Sequence, residues 1–327
     1  MERKITLKKV TLVIPVYNSE KYIGRCLDSV INQSFKDIDI LVINDGAKDK
    51  SKEIVEEYQS KYDNIKLINQ ENIGVAKTRN KAIKLVDTKY IMFMDNDDYI
   101  DNDYIETYIN KIEETNADIV IGGYKRVNID KKILFKQELL NTDWSKYIVL
   151  APWAKIYSTE FLVKNNIEFL DHGIGEDVYF NLVAFARNPK IEIIDYIGYN
   201  WFFNTKSVSN TSQRGLSKDI DIRIVLDKIL AKYNEKDEFL RYYLVRYFVW
   251  YMLFSGKKSS SENFMDYYTI CKTWFKENQI NSNISPFSHM LKGESLKNRI
   301  IVAVFLVIDK IHCMKLFSKI YCKGKDE

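Results

Sequence analysis

Four cysteines lie scattered through 327 residues, at 26, 271, 313 and 322. They show neither the density of a disulfide framework nor the close spacing of a metal site, and a reducing, cytosolic setting is the simplest expectation. Net charge is scarce too. The formal balance is +4, from 49 basic and 45 acidic residues, so charge alone gives no reason to expect nucleic acid as a partner. Long apolar runs are missing: "IIVAVFLVI", Ile300 to Ile308, is too short to span a bilayer, which disfavours insertion without disfavouring contact with a membrane surface. The opening "MERKITLKKVTLVIPVYN" has basic residues but no leader-like apolar core or cleavage site, so no signal peptide is expected. No internal repeat is evident, and the one low-complexity patch, "SGKKSSSEN", reads as a loop between helices.

What is present is enough apolar matter for a full core, 46% hydrophobic and 13% aromatic, sized for one large domain with an appended part. The first 125 residues alternate. Strand-like runs fall at Val10 to Val16, Ile38 to Asn44, Ile65 to Asn69, Tyr90 to Met94 and Asp118 to Gly122. Between them, Tyr22, Ile23, Cys26, Leu27, Val30 and Ile31 form one helical stripe, and 49–62, 75–86 and 102–115 follow the same period. Strands alternating with helices imply a mostly parallel sheet covered on both faces. Such sheets bind ligands beyond the carboxyl ends of their strands, at a topological switch. The polar residues stand there: Pro15, Tyr17, Asn18 and Glu20 after strand one, Asn44, Asp45 and Gly46 after strand two, and an acidic cluster after strand four. Residues 126–214 are less regular and rich in aromatics, with Trp153 and "YNWFF". From 215 to 327 the pattern is helical, and the aromatic stripe of "EFLRYYLVRYFVWYMLF" reads as helix core.

The acidic cluster is the sharpest feature. In "YIMFMDNDDYI" a buried-looking strand ends in Asp95, Asn96, Asp97 and Asp98, and three neighbouring carboxylates repel unless cations or hydrogen bonds sit among them. One account is a solvated turn that caps the next helix, with Asp103 and Glu106 spaced as a capping box and Asp98 or Asp101 capping one turn earlier. The other is a metal site.

Four blocks decide between them: "LVIPVYNSEKYIGRCLDSVINQSF", "ILVINDGAKDKS", "NIGVAKTRNKAI" and "YIMFMDNDDYI". In this order and at these separations they resemble the signature blocks of glycosyltransferase family 2, inverting enzymes of the Rossmann-like GT-A fold. A fifth block, "HGIGEDVYFNLVAF", resembles the Glu-Asp motif that follows the nucleotide-binding half. The resemblance covers about the first 210 residues and hardly touches the helical remainder. It implies a donor half over 1–125, an acceptor half over 126–214 and a helical region over 215–327. By resemblance, Asp45 accepts from a uracil imide while Pro15, Tyr17 and Glu20 line base and ribose; on its own, Asp45 in "NDG" reads first as a strand-to-turn residue. Asn72, Gly74, Arg79 and Asn80 match a nucleotide-binding block, Gly74 allowing close backbone approach and Arg79 offering a fork of donors to nucleotide or phosphate. The alternative for that block is an exposed helix face. Asp95-Asn96-Asp97 resembles the Asp-x-Asp motif, Asp95 on the ribose and Asp97 on Mn²⁺ or Mg²⁺, for which carboxylate and phosphate oxygens are suited hard ligands. Asp98 is expected to cap or support. Asp177 matches the catalytic base, with Glu176 raising its proton affinity or orienting the acceptor; both also fit as first-turn acids complementing a helix dipole. His172 stands alone in a loop.

Two departures touch the acceptor side. "PWAKIY" keeps Trp153 and Lys155 of the family's Trp-Asn-Lys-Leu-Tyr but places Ala154 where Asn is usual, and "YNWFFNTKSVSN" lacks the Arg of the corresponding segment. The basic tail from Lys292 mixes Leu, Ile, Val and Phe with Lys and Arg, fitting either an amphipathic helix on an anionic membrane or one packed back with its charges solvated. The implied activity is sugar transfer from a UDP-sugar to a hydroxyl of a saccharide acceptor. That acceptor is expected on a lipid such as undecaprenyl diphosphate, in capsule or exopolysaccharide synthesis at the cytoplasmic face. The alternatives are another surface glycan or glycoprotein, or a lapsed carbohydrate-binding or scaffold module. A pyrophosphorylase would need a Gly-rich, Arg-containing loop after strand one, and an aspartate phosphotransferase a Ser or Thr after the acids; neither is present.

Overall fold

Strand β1 (Val10–Val16) is buried along its whole length, as befits a strand covered on both faces. It runs parallel to β2 (Ile38–Asp45) on one side and to β4 (Tyr90–Phe93) on the other, and β3 (Ile65–Gln70) continues the parallel array beyond β2. The switch point therefore lies between β1 and β4. The computed structural model describes residues 8–204, 215–216, 221–281 and 283–324.

Helices α1 (Ile23–Ile31), α2 (Ser51–Lys61), α3 (Val75–Leu85) and α4 (Tyr104–Thr115) join these strands, each within a few residues of the span its apolar period indicates. In α1 the buried residues are Ile23, Cys26, Leu27 and Val30, the stripe read from the sequence. Beyond β4 the sheet becomes mixed. β6 (Ile119–Val127) lies antiparallel to β8 (Lys155–Ser158), which is antiparallel to β4. β9 (Ile191–Phe202) runs parallel to β6 and pairs with the short β5 (Tyr99–Ile100), while β7 (Ile133–Gln137) forms a hairpin on β6. The order is β3-β2-β1-β4-β8-β6-β9-β5, with β7 beside β6. Helices α5 (Thr159–Lys164) and α6 (Glu176–Phe185) lie between β8 and β9 in the chain. The irregular composition of 126–214 thus conceals a twelve-residue strand, β9. Its "IEIIDYIGYNWF" gives no clean alternation, because Tyr and Asn side chains on it are buried through hydrogen bonds.

The chain divides into two compact units, Met1–Asn141 with Val149–Asn204, and Thr142–Ile148 with Thr205–Glu327. The second holds helices α7 (Ile222–Leu230), α8 (Glu238–Gly256), α9 (Ser261–Glu277), α10 (Leu296–Lys310) and α11 (Met314–Tyr321). Asp237, Ser260 and Ser295 cap α8, α9 and α10 by accepting from backbone N–H groups three residues on, the usual remedy for unpaired N-terminal donors. Tyr242, Tyr243, Tyr247, Phe248 and Tyr251 of α8 are buried, so that stripe is core. The tail forms α10 and α11, whose Val302, Phe305 and Met314 face inward within this unit.

Candidate active site

The carboxyl ends of β1, β2 and β4 bring the first set of candidates together. Asp45 is buried at the end of β2; its Oδ1 accepts from Gln70 Nε2 at 2.8 Å and from Ile73 N at 2.9 Å, and its Oδ2 accepts from Gly74 N at 2.9 Å. Gly74 has φ +88° and ψ 156°, a region only glycine enters without strain. A Cβ there would meet nothing within 4 Å, so the requirement is conformational and not steric. Pro15, next to last in β1, has its carbonyl accepting from Asn96 Nδ2 at 2.8 Å, which ties the acid turn to β1 across the switch. Tyr17 is 46% exposed beyond that strand, and Asn72 is exposed near Gly74. Glu20 accepts from Lys50 N at 3.1 Å.

The acid turn is not a helix cap. Asp103 precedes α4 but makes no side-chain cap bond; it accepts from Tyr196 Oη at 2.5 Å, and Glu106 accepts from Ser34 Oγ at 2.6 Å. Asp101 is taken by Lys125 at 2.6 Å and Asn200 at 2.7 Å. Asp98 is fully buried and accepts from Tyr199 Oη at 2.5 Å and Phe202 N at 2.7 Å, stapling the turn to β9. Burial, then the charges of Asp97 and Asp95, push its carboxyl well above the usual range. Asp95 and Asp97 stay half-buried. Burial and the neighbouring Asp95 push Asp97 up to about 6, a sign of negative charge without enough compensation. The backbone carbonyl of Asp97 accepts from Arg25 Nη2 at 2.6 Å.

These acids fit a divalent cation. Among the described residues no three His, Cys, Asp or Glu side chains converge as a complete cage. Mg²⁺ commonly takes one or two carboxylates and completes its shell with water and substrate phosphate. Asp97 supplies hard oxygens of that kind, beside an Asp95 that is paired with Arg79.

Arg79 joins this turn to the fifth block. It comes from α3 and is 3% exposed; Nη2 donates to Asp95 Oδ1 at 2.7 Å and Nη1 to Asp177 Oδ1 at 2.8 Å. Its guanidinium lies 5.2 Å from the Phe169 ring. Burial works against its charge, but Asp177 and Asp95 hold its pKa above the ordinary value. Asn80 grips the backbone of residue 169 from both sides, donating to Phe169 O at 2.8 Å and accepting from Phe169 N at 2.6 Å. Thr78 is 0% exposed. The exposed-helix-face alternative therefore fails for Thr78 and Arg79, and holds for Val75 and Lys77, the latter paired with Asp171.

Glu176 and Asp177 open α6 behind Gly175, whose φ of +79° sets the entry, and the helix N-terminus favours their charge. Opposing that, burial and then Glu176 raise the Asp177 carboxyl, with Arg79 pulling it down. Lys155 is fully buried and donates to Val149 O and Ala151 O, both at 2.6 Å. Burial lowers it to about 7, against the pull of Asp177. Asn181 of α6 donates to Leu150 O at 2.7 Å, in the same loop. Ala154, where the resemblance has Asn, adopts a left-handed φ of +53°. His172 Nδ1 lies 3.1 Å from Ile174 O. Residues 205–210, the end of the "YNWFFNTKSVSN" segment, lie outside the described residues. Tyr199, which also accepts from Asp95 N at 3.2 Å, was not singled out from sequence. No local pattern could reveal it, since its partners lie about a hundred residues away.

The model of glycosyl transferase family 2 matches residues 11–209. Glycosyltransferase GlyA of Streptococcus pneumoniae is 31% identical over 220 residues, 62% of this chain and 31% of GlyA. A poly(ribitol-phosphate) beta-glucosyltransferase of Bacillus spizizenii is 34% identical over 201 residues, 58% of this chain and 32% of that enzyme. The chain thus spans about a third of the length of these relatives. Residues 1–349 of Staphylococcus aureus TarS, solved with UDP-GlcNAc, superpose with a TM-score of 0.71 at 23% identity, covering 91% of this chain and 92% of that one, a likeness of fold. The mixed sheet with its parallel β3-β2-β1-β4 side is the GT-A fold, and with the family's model matched from β1 through β9 the chain belongs to glycosyl transferase family 2.

Proposed function

We propose that this glycosyltransferase moves a sugar from a UDP-sugar to a hydroxyl of a saccharide acceptor, with inversion at the anomeric carbon. The observation that carries the reading is the Arg79 bridge, which holds Asp95 of the acid turn and Asp177 of α6 on two nitrogens of one guanidinium. Residues 1–125 form the donor half, 126–214 the acceptor half and 215–327 the helical region. Asp45 serves the uracil, Pro15, Tyr17 and Glu20 the base and ribose, and Asn72 and Gly74 the nucleotide loop. Asp95 and Asn96 hold the ribose side, Arg79 acts on the donor side through Asp95, and Asp97 would hold Mn²⁺ or Mg²⁺. When bound, that ion offsets charge on the leaving diphosphate. Asp177 takes the acceptor hydroxyl's proton as that oxygen attacks the anomeric carbon and the sugar–phosphate bond breaks, releasing UDP. A carboxyl raised by burial and Glu176 is suited to that task, since a base works best with a pKa near the operating pH.

TarS, solved with UDP-GlcNAc, supports a UDP-sugar donor, and the Bacillus spizizenii relative acts on poly(ribitol-phosphate) by name, which supports a bacterial surface glycan as product. No helix among the described residues is long and apolar enough to cross a membrane. Leu296, Ile300, Val304 and Val307 nonetheless form one exposed face of α10, and Ile311 just after it and Leu316 and Ile320 of α11, the last two at 60% and 75%, are exposed as well. Exposed Lys297, Lys310, Lys315 and Lys319 flank it. An apolar stripe edged with lysines suits the inner, anionic face of a membrane, where a lipid-linked acceptor would be presented.

Calorimetric titration of UDP with and without Mn²⁺, in wild type and Asp97→Ala, tests the donor site. Metal-dependent binding that Asp97→Ala abolishes is expected. Absence of UDP binding in wild type would move a lapsed binding module to the front.

A further inference from the structure

Arg79 and Arg25 both spend their charge on the acid turn, but a third arginine does not. Arg126 stands near the carboxyl end of β6, in register with Trp201 of β9. Its guanidinium carbon lies 4.4 Å from the ring centre of Trp201 and 4.4 Å from that of Phe203. Its Nε is buried without a hydrogen-bond partner. Among the described residues no carboxylate pairs with it, and burial lowers its pKa. The segment it covers is the one in which the sequence has no arginine of its own.

The surroundings lead back to the acids. Alternation along β9 puts Tyr199 and Trp201 on one face. Trp153 stacks on Tyr199 at 4.6 Å and 5° and lies 6.1 Å from Trp201. Tyr199 in turn holds Asp98 and the Asp95 amide. By strand count, β5 pairs with β9 at Asn200 and β9 with β6 at Arg126. Two strand spacings make about 10 Å between β6 at Arg126 and β5, whose Tyr99 directly follows Asp98. A guanidinium lying against two rings is restrained before any ligand arrives, and its planar fork matches phosphate.

We propose that Arg126, clamped between Trp201 and Phe203, binds a phosphate oxygen of the acceptor, carried as a phosphodiester or as a diphosphate ester. By the donor reading above, the donor diphosphate would be met by an ion held at Asp97, so a further cation beyond β9 answers further negative charge. This deepens the acceptor-side reading above and rests on it for its place in the reaction. The rings beside the guanidinium supply flat apolar surface for the carbon skeleton attached to that phosphate.

The test uses the full chain and two probes, glycerophosphoglycerol for the diester and geranyl diphosphate for the diphosphate ester. Each is titrated by tryptophan fluorescence with saturating UDP and again without it. Wild type is expected to bind one probe saturably; the diester would indicate a phosphate-bearing polymer and the diphosphate a lipid carrier. Arg126→Gln should weaken that binding tenfold or more, while UDP binding stays at the wild-type value. Arg126→Lys, which keeps the charge without the fork, should fall between them with an unchanged near-ultraviolet circular dichroism spectrum. Equal binding by Arg126→Gln and wild type, or binding of neither probe by wild type, overturns the proposal. If wild type binds a probe through Arg126 but does not bind UDP, the anion site stands and the donor reading falls.

Discussion

Arg79 and Asp177 share one ion pair, yet removing the arginine should destabilise the fold while removing the Asp177 charge should leave stability nearly unchanged. Arg79 is 4% exposed in its side chain and is the cation between Asp95 and Asp177, whose side chains are 35% and 31% exposed. Breaking a buried pair by deleting one partner costs about 3–5 kcal/mol. Water can re-solvate carboxylates exposed to that degree, so Arg79→Leu is expected to cost about 2–3 kcal/mol. Asp177→Asn removes the other partner but also relieves repulsion from Glu176 and the burial of a charge, the two causes that raise Asp177. The amide oxygen can still accept from Arg79, so the change should lie within about 1 kcal/mol of zero while transfer falls about 10²–10⁴-fold. The pH dependence has a definite sign. A carboxyl that holds its proton to higher pH in the folded state than in the unfolded one makes stability fall as pH rises from about 4 toward the folded pKa. Asp177→Asn should flatten that fall. Urea midpoints across pH 4 to 8 for the two variants, with sugar transfer measured beside them, read all three quantities. Destabilisation of Asp177→Asn equal to that of Arg79→Leu would refute the claim that the Asp177 charge is held at a cost.

Further outcomes follow from single features. Gly74→Ala forces a Cβ into φ +88° and should weaken UDP binding while costing about 1–3 kcal/mol, read by calorimetry and urea melts. Lys155→Met leaves the carbonyls of Val149 and Ala151 without their donor, for a loss of about 2–4 kcal/mol. With the folded pKa of Lys155 lowered to about 7, the folded state gives up its proton first. Wild-type stability should therefore gain on Lys155→Met as pH rises from 7 to about 10, and an unchanged difference would contradict it. Ala154→Gly should stabilise by about 0.5–1 kcal/mol, because Ala154 occupies φ +53°. Sedimentation with anionic vesicles should pull down wild type and not an Ile300→Asp, Leu316→Asp double variant, and neutral vesicles should pull down neither; binding by the double variant would refute the α10–α11 surface.

Much of the N-terminal half is legible along the chain, because its strands and helices bury whole faces and so write period 2 and period 3.6 into the residues. The stripe of α1 and the burial of β1 come from that, and the acids stand at strand ends because parallel sheets leave their ligands there. Asp98 shows where local reading stops. Its spacing to the next helix suggests a cap, but its partners are Tyr199 and the Phe202 amide, about a hundred residues on. β9 was hidden for a related reason: its buried tyrosines and asparagine satisfy their polar groups through the tertiary structure, so hydropathy does not mark them as interior.

The family, the strand–helix alternation of the N-terminal half and the order in which the polar blocks follow the strands are all legible in the sequence alone, since each is a local pattern repeated at fixed spacing. Only the tertiary structure decided which charges meet. Arg79 closing on Asp95 and Asp177, and Arg126 lying between Trp201 and Phe203, depend on the β4–β8–β6–β9 order of the sheet. That order follows from long-range strand pairing, in which each backbone hydrogen bond is indifferent to the side chains it aligns.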